Sequence, residues 1–519
     1  MTLDKRAIHQ YLGAIHQNYM FEYFVGLDNA YLFVILFFHL FFFKKKDHEL
    51  LVTGFLGKEE MIIETYEDHS HQETTYFLFT HWNFHCEYHG PYVISCRITT
   101  DLNKRIDLDH DKDNIHVTFT YTVDWEQTDV HVNDRLTYHV RKLIRSQPLD
   151  VHWLSILNSF ILVILVTAFV ALVFTRILRQ DCLRYHASIA QDDVEDVDDP
   201  GWKRLQRDVF RTPNRIMLFS ACVGTGTQLL VLMISLLILS LIGLFYPGNR
   251  GALVTAVIFC YCLTASIGGH VSGTLYIQMG GQKWATNAVL TACIFPIPFF
   301  AIFVVVNSIA WAYNSAMALP FLYILAIFVL WSVVTFPLTV YAAHRVKNIP
   351  AQLNVPIAAV SKVERQIPEL PWYRNSWLQI ALSGILPFTA IYIELHFLFT
   401  AIFGHQVYTL FGILCLAFSM LLIVTAAVTI GLTYFQLQSE DWRWWWRSFA
   451  TAGSPGIYIL GYAVFYYYYR SYMNGVLQAA FFFGYVGAVS YAFFLMLGAV
   501  GWWSTFLFLK QIYGAIKPE

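Results

Sequence analysis

The feature that most constrains this chain is a series of nine long apolar runs that begins near residue 154. About 20 consecutive apolar residues are enough for a helix to cross the hydrocarbon core of a bilayer. Because lipid offers the backbone no hydrogen-bond partners, such runs cross as helices, whose hydrogen bonds are internal. They predict a mostly α membrane protein with a nine-helix transmembrane bundle over residues 151–509. The runs are 154–175, 216–246, 251–276, 285–313, 318–343, 377–403, 408–435, 449–469 and 479–509.

The composition agrees with a membrane protein and gives no sign of one that binds nucleic acid. Only 13% of the residues are charged, whereas about a quarter are charged in an average soluble protein. The formal net charge is −2, and no basic patch with interleaved aromatic side chains occurs. We therefore expect the lipid bilayer as a partner, and no nucleic acid.

The lysines and arginines between the runs predict the orientation in the membrane. The connections after the first, third, fifth and seventh runs, together with the tail at 510–519, hold 18 of them. The four alternate connections hold only Arg250 and Arg470. Since cytosolic loops carry the excess of basic residues, the tail is predicted to be cytosolic. The segment before the first run is then lumenal or extracellular.

Residues 1–52 form an irregular N-terminal region. Residues 1–29 lack a basic stretch followed by an apolar one, so no signal peptide is expected. The apolar run at 30–43 is short for a span and ends in three lysines. If it crossed with those lysines in the cytosol, every later run would be inverted. We therefore interpret residues 29–52 either as an insertion, such as translated intron sequence, or as a buried or surface element.

Residues 53–150 have the pattern of a partial lumenal β-sandwich-like domain. Apolar and polar residues alternate from 117 to 125, as in a half-buried strand. Gly90-Pro91 marks a turn between two further strands. Cys86 and Cys96 would lie opposite each other across this hairpin, where they are either two free thiols or a disulfide.

Three histidines of this domain, His81, His85 and His89, have a spacing that suggests a metal site. On a strand, residues four apart lie roughly 13 Å from each other. They cannot share one ion unless the chain bends, so we expect surface histidines. The sequence predicts no metal and no cofactor.

Glu394 is the only carboxylate inside any of the long apolar runs. A charge at the centre of a membrane costs roughly 2.5 kcal/mol or more, so such residues usually face the bundle interior. Three interpretations stay open: a proton or cation site, a polar anchor for the spans of cargo proteins, or a hydrogen-bonded structural carboxylate.

His396, two residues from Glu394, points to another face of the helix. Candidate polar partners on other runs are His270, Gln228 and Asn307. Because no nucleophile–base constellation accompanies Glu394, we do not expect an enzyme.

Small residues recur at a four-residue spacing in the third run, at Ala265, Gly269 and Gly273. Such a face lets another helix backbone approach closely. The partner is either a helix of the same bundle or the span of a client protein.

Two aromatic clusters and one acidic segment have ordinary interpretations. The tryptophans at 442 and 444–446 and the tyrosines at 466–469 are typical of belts at the two membrane interfaces. Residues 191–200 carry six carboxylates, which indicates a solvated linker or a docking site for a basic partner.

Several motifs together resemble the nonaspanins, the transmembrane 9 superfamily. They are Val223-Gly-Thr-Gly-Thr-Gln, Gly251-Ala-Leu-Val-Thr-Ala, Gln366-Ile-Pro-Glu, Pro371-Trp-Tyr, Leu386-Pro-Phe, Ile393-Glu, Glu440-Asp-Trp-Arg-Trp-Trp-Trp-Arg and the tyrosines at 466–469. The resemblance covers about residues 75 to 519, with short matches near 15–24 and 54–57. It implies a lumenal β-rich domain followed by nine helices. This sequence departs from the family plan in lacking a signal peptide and most of the lumenal domain.

The resemblance also implies a function. Nonaspanins of the Golgi and endosomal membranes escort membrane proteins, notably those with glycine-rich transmembrane segments. The end of the chain, Lys517-Pro518-Glu519, resembles the Lys-x-Asp/Glu signal by which they bind a COPI-type coat. We therefore expect a factor for membrane-protein sorting or surface targeting. The alternative is a proton- or cation-coupled transporter or channel that uses Glu394, and a third option is a degenerate gene product without activity.

Overall fold

The computed structural model divides the chain into two compact units. One comprises residues 1–151 with 246–249, and the other comprises 152–245 with 250–519. The structure describes residues 20–25, 50–66, 69–101, 103–108, 115–131, 153–190, 201–245, 250–313, 318–350, 363–368, 375–403, 411–471 and 475–514, with isolated positions between them.

The first unit is built from short sheets. Two of them have three strands, in the orders β4-β5-β8 and β10-β6-β7, and two are single pairs, β1-β9 and β2-β3. All pairings are antiparallel except that of β10 with β6. The strands are β1 (Thr2–Leu3), β2 (Met20–Val25), β3 (Leu50–Phe55), β4 (Gly57–Tyr66), β5 (His69–Phe79), β6 (His81–His89), β7 (Tyr92–Thr100), β8 (Arg105–Leu108), β9 (Ile115–His116) and β10 (Thr120–Gln127).

The N-terminal region is less irregular than its sequence suggests. Ile8, Leu12 and Ile15 are each at most 4% exposed and pack into the core of this unit. Their spacing of four and then three residues places them on one face of a helical turn. Strands β2 and β3 pair with Val25 opposite Leu50, so the two ends of the segment 26–49 meet. That segment, which holds most of the predicted insertion, lies outside the described residues.

The hairpin of β6 and β7 turns at Gly90, whose φ of 59° favours a residue without a side chain. Cys86 lies directly opposite Cys96 in this hairpin. Both thiols are free and buried, and burial raises the pKa of each. The structure therefore contains the two free thiols rather than the disulfide.

The alternating segment begins with Val117, which is 1% exposed, but its second half lies in β10, where the apolar face is not half-buried as expected. Tyr121 and Trp125 are 70% and 58% exposed. The reason is that β10 is the edge strand of a three-stranded sheet. Its aromatic rings meet only the edges of Phe84 and Tyr88 on the neighbouring strand.

The second unit confirms the helical membrane architecture. Eight of its described helices are long and apolar enough to cross a membrane, where a helix with a short break counts as one. The remaining predicted run, 449–469, is divided between two shorter helices of 10 and 15 residues. The helices are α1 (Trp153–Ala190), α2 (Gly201–Arg204), α3 (Ile216–Leu241), α4 (Arg250–Gln278), α5 (Trp284–Cys293), α6 (Pro296–Ala312), α7 (Phe321–Leu330), α8 (Phe336–Arg345), α9 (Ser376–Ser383), α10 (Ile385–Phe403), α11 (Phe411–Gln438), α12 (Trp444–Gly453), α13 (Pro455–Tyr469) and α14 (Val476–Gly514), with a π-helical segment, Trp331–Thr335, between α7 and α8.

Proline accounts for the four places at which a span is interrupted. A proline has no N–H to donate and its ring clashes with the carbonyl four residues earlier, so it kinks or breaks a helix. Each of the breaks α5/α6, α7/α8, α9/α10 and α12/α13 has a proline within the first three residues of its second helix. These residues are Pro296, Pro337, Pro387 and Pro455.

The centre of the bundle is the Val223-Gly-Thr-Gly-Thr-Gln motif of α3. A Cβ on Gly224 would collide with Ser272 and Gly268 of α4, and one on Gly226 would collide with the backbone of Leu495 in α14. The absence of side chains at these two positions therefore lets α3 lie in backbone contact with both neighbours.

The predicted tryptophan belt is wrong for its two central members. Trp444 and Trp445 are 0% and 2% exposed and pack in the main core beside Trp502 and Phe219. The indole N–H of Trp444 donates to the carbonyl of Val209 at 2.7 Å, which satisfies it away from any lipid headgroup. Among the tyrosines, 466 is buried, whereas 468 and 469 are exposed as a belt requires.

Substitution of Gly226 by alanine is expected to destabilise the protein by about 1–3 kcal/mol, because the added methyl group overpacks the α3–α14 contact. Gly461 on α13 is the matched control, because nothing lies within 4 Å of a Cβ added there. Its alanine variant should be neutral or up to about 1 kcal/mol more stable, since alanine favours helix. Thermal unfolding of both purified variants in detergent measures the difference. Equal changes in stability in the two variants would contradict the close contact between α3 and α14.

Candidate functional site

Two helix breaks face each other in the second unit. Gly384 separates α9 from α10, and Ser454 separates α12 from α13. The hydroxyl groups of Ser383 and Ser454 are 3.2 Å apart. A Cβ on Gly384 would collide with Ser454 and Tyr458, so only glycine permits this approach. The two broken spans therefore meet at their points of interruption.

Side chains satisfy the backbone groups that these breaks release. Ser383 Oγ donates to the carbonyl of Ile380 at 2.8 Å and lies 3.2 Å from that of Thr451. The hydroxyl of Tyr458 donates to the carbonyl of Ala381. Interrupted backbone is tolerated at membrane depth only where neighbouring groups re-form its hydrogen bonds. The breaks are thus supported features of the bundle.

Glu394 lies on the longer part of one broken span, about two-thirds of the way from Ser376 to Phe403. The residue is 9% exposed. His396 faces α13, where its Nδ1 lies 2.9 Å from the hydroxyl of Tyr462. The pair links α10 to α13 beyond the breaks.

An aromatic cluster surrounds the hydroxyl of Tyr462. The ring of Tyr462 stacks on Phe399 at 5.5 Å and meets Tyr392 edge-on at 5.3 Å. Tyr466 and Phe482 extend the cluster to α14. The arrangement places one carboxylate, one imidazole and several phenol groups on and around α10, which can bind a cation or a polar group but contains no activated nucleophile.

Two of the candidate polar partners of Glu394 have hydrogen bonds of their own. The amide of Gln228 donates to the carbonyl of Tyr261 at 3.3 Å. Asn307 exchanges two hydrogen bonds with the backbone of Leu319, so it braces the turn between α6 and α7. His270 is exposed on α4. The grouping of these residues with Glu394 stays a prediction.

The sequence reasoning missed a buried polar network between α3, α4 and α5. Asn287 is 0% exposed; its Oδ1 accepts from Ser220 and its Nδ2 donates to Ser272, both at 2.8 Å. The hydroxyl of Ser272 is 2.7 Å from that of Thr291, whose carbonyl accepts from Thr225. The only signal was the presence of small polar residues on three neighbouring runs. Because its polar groups hydrogen-bond to one another, the network stabilises the packing of α3, α4 and α5.

The candidate docking face on α4 is covered by the protein itself. Ala265 is 0% exposed. A Cβ on Gly269 would collide with Thr339, and one on Gly273 would collide with Val346 next to the end of α8. The small residues therefore seat α8, so the partner of this face is a helix of the same bundle, the first of the two alternatives. The physical reason is that the bundle fills its own grooves of small residues.

An ionic cluster joins segments that are far apart in sequence, and it too was missed. Glu440 accepts from Arg204 at 3.1 Å and from Arg365 at 2.7 Å. The next residue, Asp441, is 3% exposed in its side chain and pairs with Arg443 and Arg447 at 3.3 Å. Glu440 holds a left-handed backbone, with φ of 60°. These basic residues therefore hold loops together through ion pairs.

The remaining sequence candidates show no shared site. His81, His85 and His89 each bond a different partner, Thr120, Thr99 and the carbonyl of Thr128 respectively. No group of three metal-ligating side chains occurs among the residues that the structure describes. The acidic segment 191–200 and the terminal Lys517 and Glu519 lie outside those residues.

The chain is similar to known membrane proteins over nearly its whole length. Residues 1–476 match the family described as Endomembrane protein 70. "Transmembrane 9 superfamily member 4" of Arabidopsis thaliana is 42% identical over 92% of this chain and 79% of its own. "Transmembrane 9 superfamily member 1" of Mus musculus is 39% identical over 100% and 82%. "Putative phagocytic receptor 1b" of Dictyostelium discoideum is 40% identical over 91% and 78%. No solved structure matches the chain significantly.

Substitution of Glu440 by glutamine is expected to lower the free energy of unfolding by about 1 kcal/mol, because two partly exposed arginines lose their common carboxylate. The matched control is Glu364→Gln. Glu364 is 67% exposed and lies 3.8 Å from Arg211, so its loss should change stability by less than about 0.5 kcal/mol. Thermal unfolding of the two variants at low and high salt measures both changes in stability. Equal effects of the two substitutions would contradict a clamping role for Glu440.

Proposed function

This chain belongs to the transmembrane 9 superfamily, and from that membership we propose that it sorts membrane proteins in the Golgi–endosome pathway. In this role it escorts client proteins with glycine-rich transmembrane segments toward the cell surface. The observation that carries the proposal is the match of residues 1–476 to a family described as an endomembrane protein. The Dictyostelium relative named as a receptor supports a role in binding other molecules. The proposal assigns no catalytic activity.

The paired broken spans are the part of the bundle best suited to recognise a client helix. The small-residue face of α4 already holds α8, so it is not available to a client. Glu394 offers a polar group within the hydrocarbon depth, where a charge is expensive and therefore usually functional. A glycine-rich client span can bring its own backbone close to such a group.

The proposed orientation follows from the basic residues of the connections. The β-rich unit is lumenal and the tail at 510–519 is cytosolic, which places Lys517 and Glu519 where a coat protein can bind them. Lys517, followed two positions later by Glu519, offers the coat two opposite charges to bind. This signal retains the protein in the Golgi.

Substitution of both Lys517 and Glu519 by alanine should release the protein from the Golgi, because both charges that the coat reads are removed. Fluorescence microscopy of tagged full-length protein, with the tag on the lumenal side, measures the distribution. The control is Lys510→Ala, which removes one positive charge from the same tail. Golgi localisation of the double variant equal to that of wild type would contradict coat binding.

A second candidate function is proton- or cation-coupled transport. The observation that favours it is the helix break on the span that carries Glu394, which faces a second break on a neighbouring span. Discontinuous helices at membrane depth are frequent at the ion and substrate sites of secondary transporters.

Substitution of Glu394 by glutamine separates the two functions, because it removes the charge and keeps the shape. Sorting predicts that surface delivery of a client with a glycine-rich span falls by half or more in cells. It also predicts that proteoliposomes of wild-type protein show no flux above empty vesicles. Glu364→Gln, an exposed carboxylate, is the control. A pH-driven flux that is lost in Glu394→Gln while client delivery stays normal would establish the transporter and reject the escort.

A further inference from the structure

Three exposed cations stand at one corner of the helical unit. Lys283 precedes α5, Arg345 ends α8, and Lys347 follows it. All three side chains are exposed. Both chain segments lie on the side of the membrane that the charge pattern predicts to be cytosolic.

Direct contacts bring these segments together. The ring of Trp284, the first residue of α5, lies 5.3 Å from that of His344 in an edge-on arrangement. The Nζ of Lys347 donates to Nε2 of His344 at 2.9 Å. These contacts bring the segment that follows Lys283 against the segment that carries His344, Arg345 and Lys347. The contacts of His344 with Trp284 and Lys347 hold the two segments next to each other.

No carboxylate neutralises this corner. Residues 209–363 contain no aspartate and no glutamate. Within the described part of the chain, Lys283, Arg345 and Lys347 form no ion pair. The contrast is with Arg204, Arg365 and Arg447, each of which is paired with Glu440 or Asp441. The paired arginines stabilise contacts between segments of the protein, whereas the positive charges of the corner remain available to an external anion.

The corner stands at the ends of two apolar spans, where lipid headgroups are expected. Trp284 begins the span α5–α6, and Arg345 ends the span α7–α8. About one turn further into these spans, Val289 and Tyr341 are 44% and 59% exposed, as lipid-facing residues are. Helix α5 also starts without a side-chain cap, and the N-terminus of a helix favours negative charge.

We infer that this corner binds the phosphorylated headgroup of an anionic lipid, of the polyphosphoinositide class, in the cytosolic leaflet. Basic clusters between helices at the cytosolic boundary have the chemistry that such headgroups require. Three exposed cations on two adjoining segments match a headgroup with several phosphates better than one with a single phosphate. A lipid is favoured over an acidic peptide because the apolar surface of both spans continues directly from the corner into the bilayer.

The test compares two triple variants of the purified full-length protein. The first is Lys283→Gln with Arg345→Gln and Lys347→Gln. The control is Arg176→Gln with Arg179→Gln and Arg207→Gln, which removes the same charge from other exposed cations of the same predicted side. Binding is measured to phosphatidylcholine vesicles with and without phosphatidylinositol bisphosphate. Size-exclusion profiles and thermal unfolding without lipid show that both variants are folded.

Since a basic residue near an anionic surface contributes about 1 kcal/mol, loss of all three should weaken binding to the phosphoinositide vesicles on the order of 100-fold. The control should stay within about threefold of wild type. Equal weakening in both variants would mean diffuse charge attraction and would overturn the site. So would unchanged binding by the first variant.

Two further arms identify the source of the phosphate. Free inositol trisphosphate carries the same headgroup chemistry without the acyl chains. If it binds as tightly as the lipid does, the ligand is a soluble phosphate and the lipid proposal fails. If an acidic phosphopeptide binds this corner and the vesicles do not, a protein partner replaces the lipid. Selective binding to the phosphoinositide vesicles supports the proposal.

Discussion

The backbone contact of α3 with α4 and α14 is the interaction on which the rest of the helical unit depends. In lipid, helices are not driven together by escape from water, so association relies on close packing and hydrogen bonds between helices. Gly224 and Gly226 supply the close packing, because a side chain at either position would meet a neighbouring helix. The close approach also brings Ser220, Asn287 and Ser272 within hydrogen-bond distance. The glycines therefore make the buried polar network geometrically accessible.

The close packing of small residues also shows which helix faces are already occupied within the bundle. The small residues of α4 are occupied by α8, so that face is structural. The broken spans α9–α10 and α12–α13 touch at their breaks through Ser383 and Ser454 and carry Glu394 beyond them. In the proposed sorting function, this region meets the client. In the proposed lipid interaction, the corner at Lys283 and Lys347 anchors the opposite boundary, which the charge pattern predicts to be cytosolic, to anionic lipid.

More of the fold than of the site could be predicted. The length and period of an apolar run are local properties of the sequence, whereas the partners of a side chain come from distant parts of the chain. Run boundaries at 216, 285 and 377 lie within one residue of helix starts. By contrast, Trp444 and Trp445 belong to an aromatic stretch typical of an interface, yet they fill the core. The grouping of Glu394 with His270, Gln228 and Asn307 stays a prediction, because sequence gives the position of a residue along its helix and not the direction in which that helix faces.

The sequence by itself determined that the chain crosses a membrane and to which superfamily its motifs belong. Its basic residues predict the orientation. Its prolines also determine where spans can break. Only the tertiary structure decided which breaks face each other, which small-residue face is already filled, and which cations are paired. The physical reason is that burial in lipid depends on composition along the chain, whereas contact depends on the rotation and depth of each helix against its neighbours. Arg365 and Arg345 are equivalent in a charge count, but one meets Glu440 and the other forms no ion pair within the described residues.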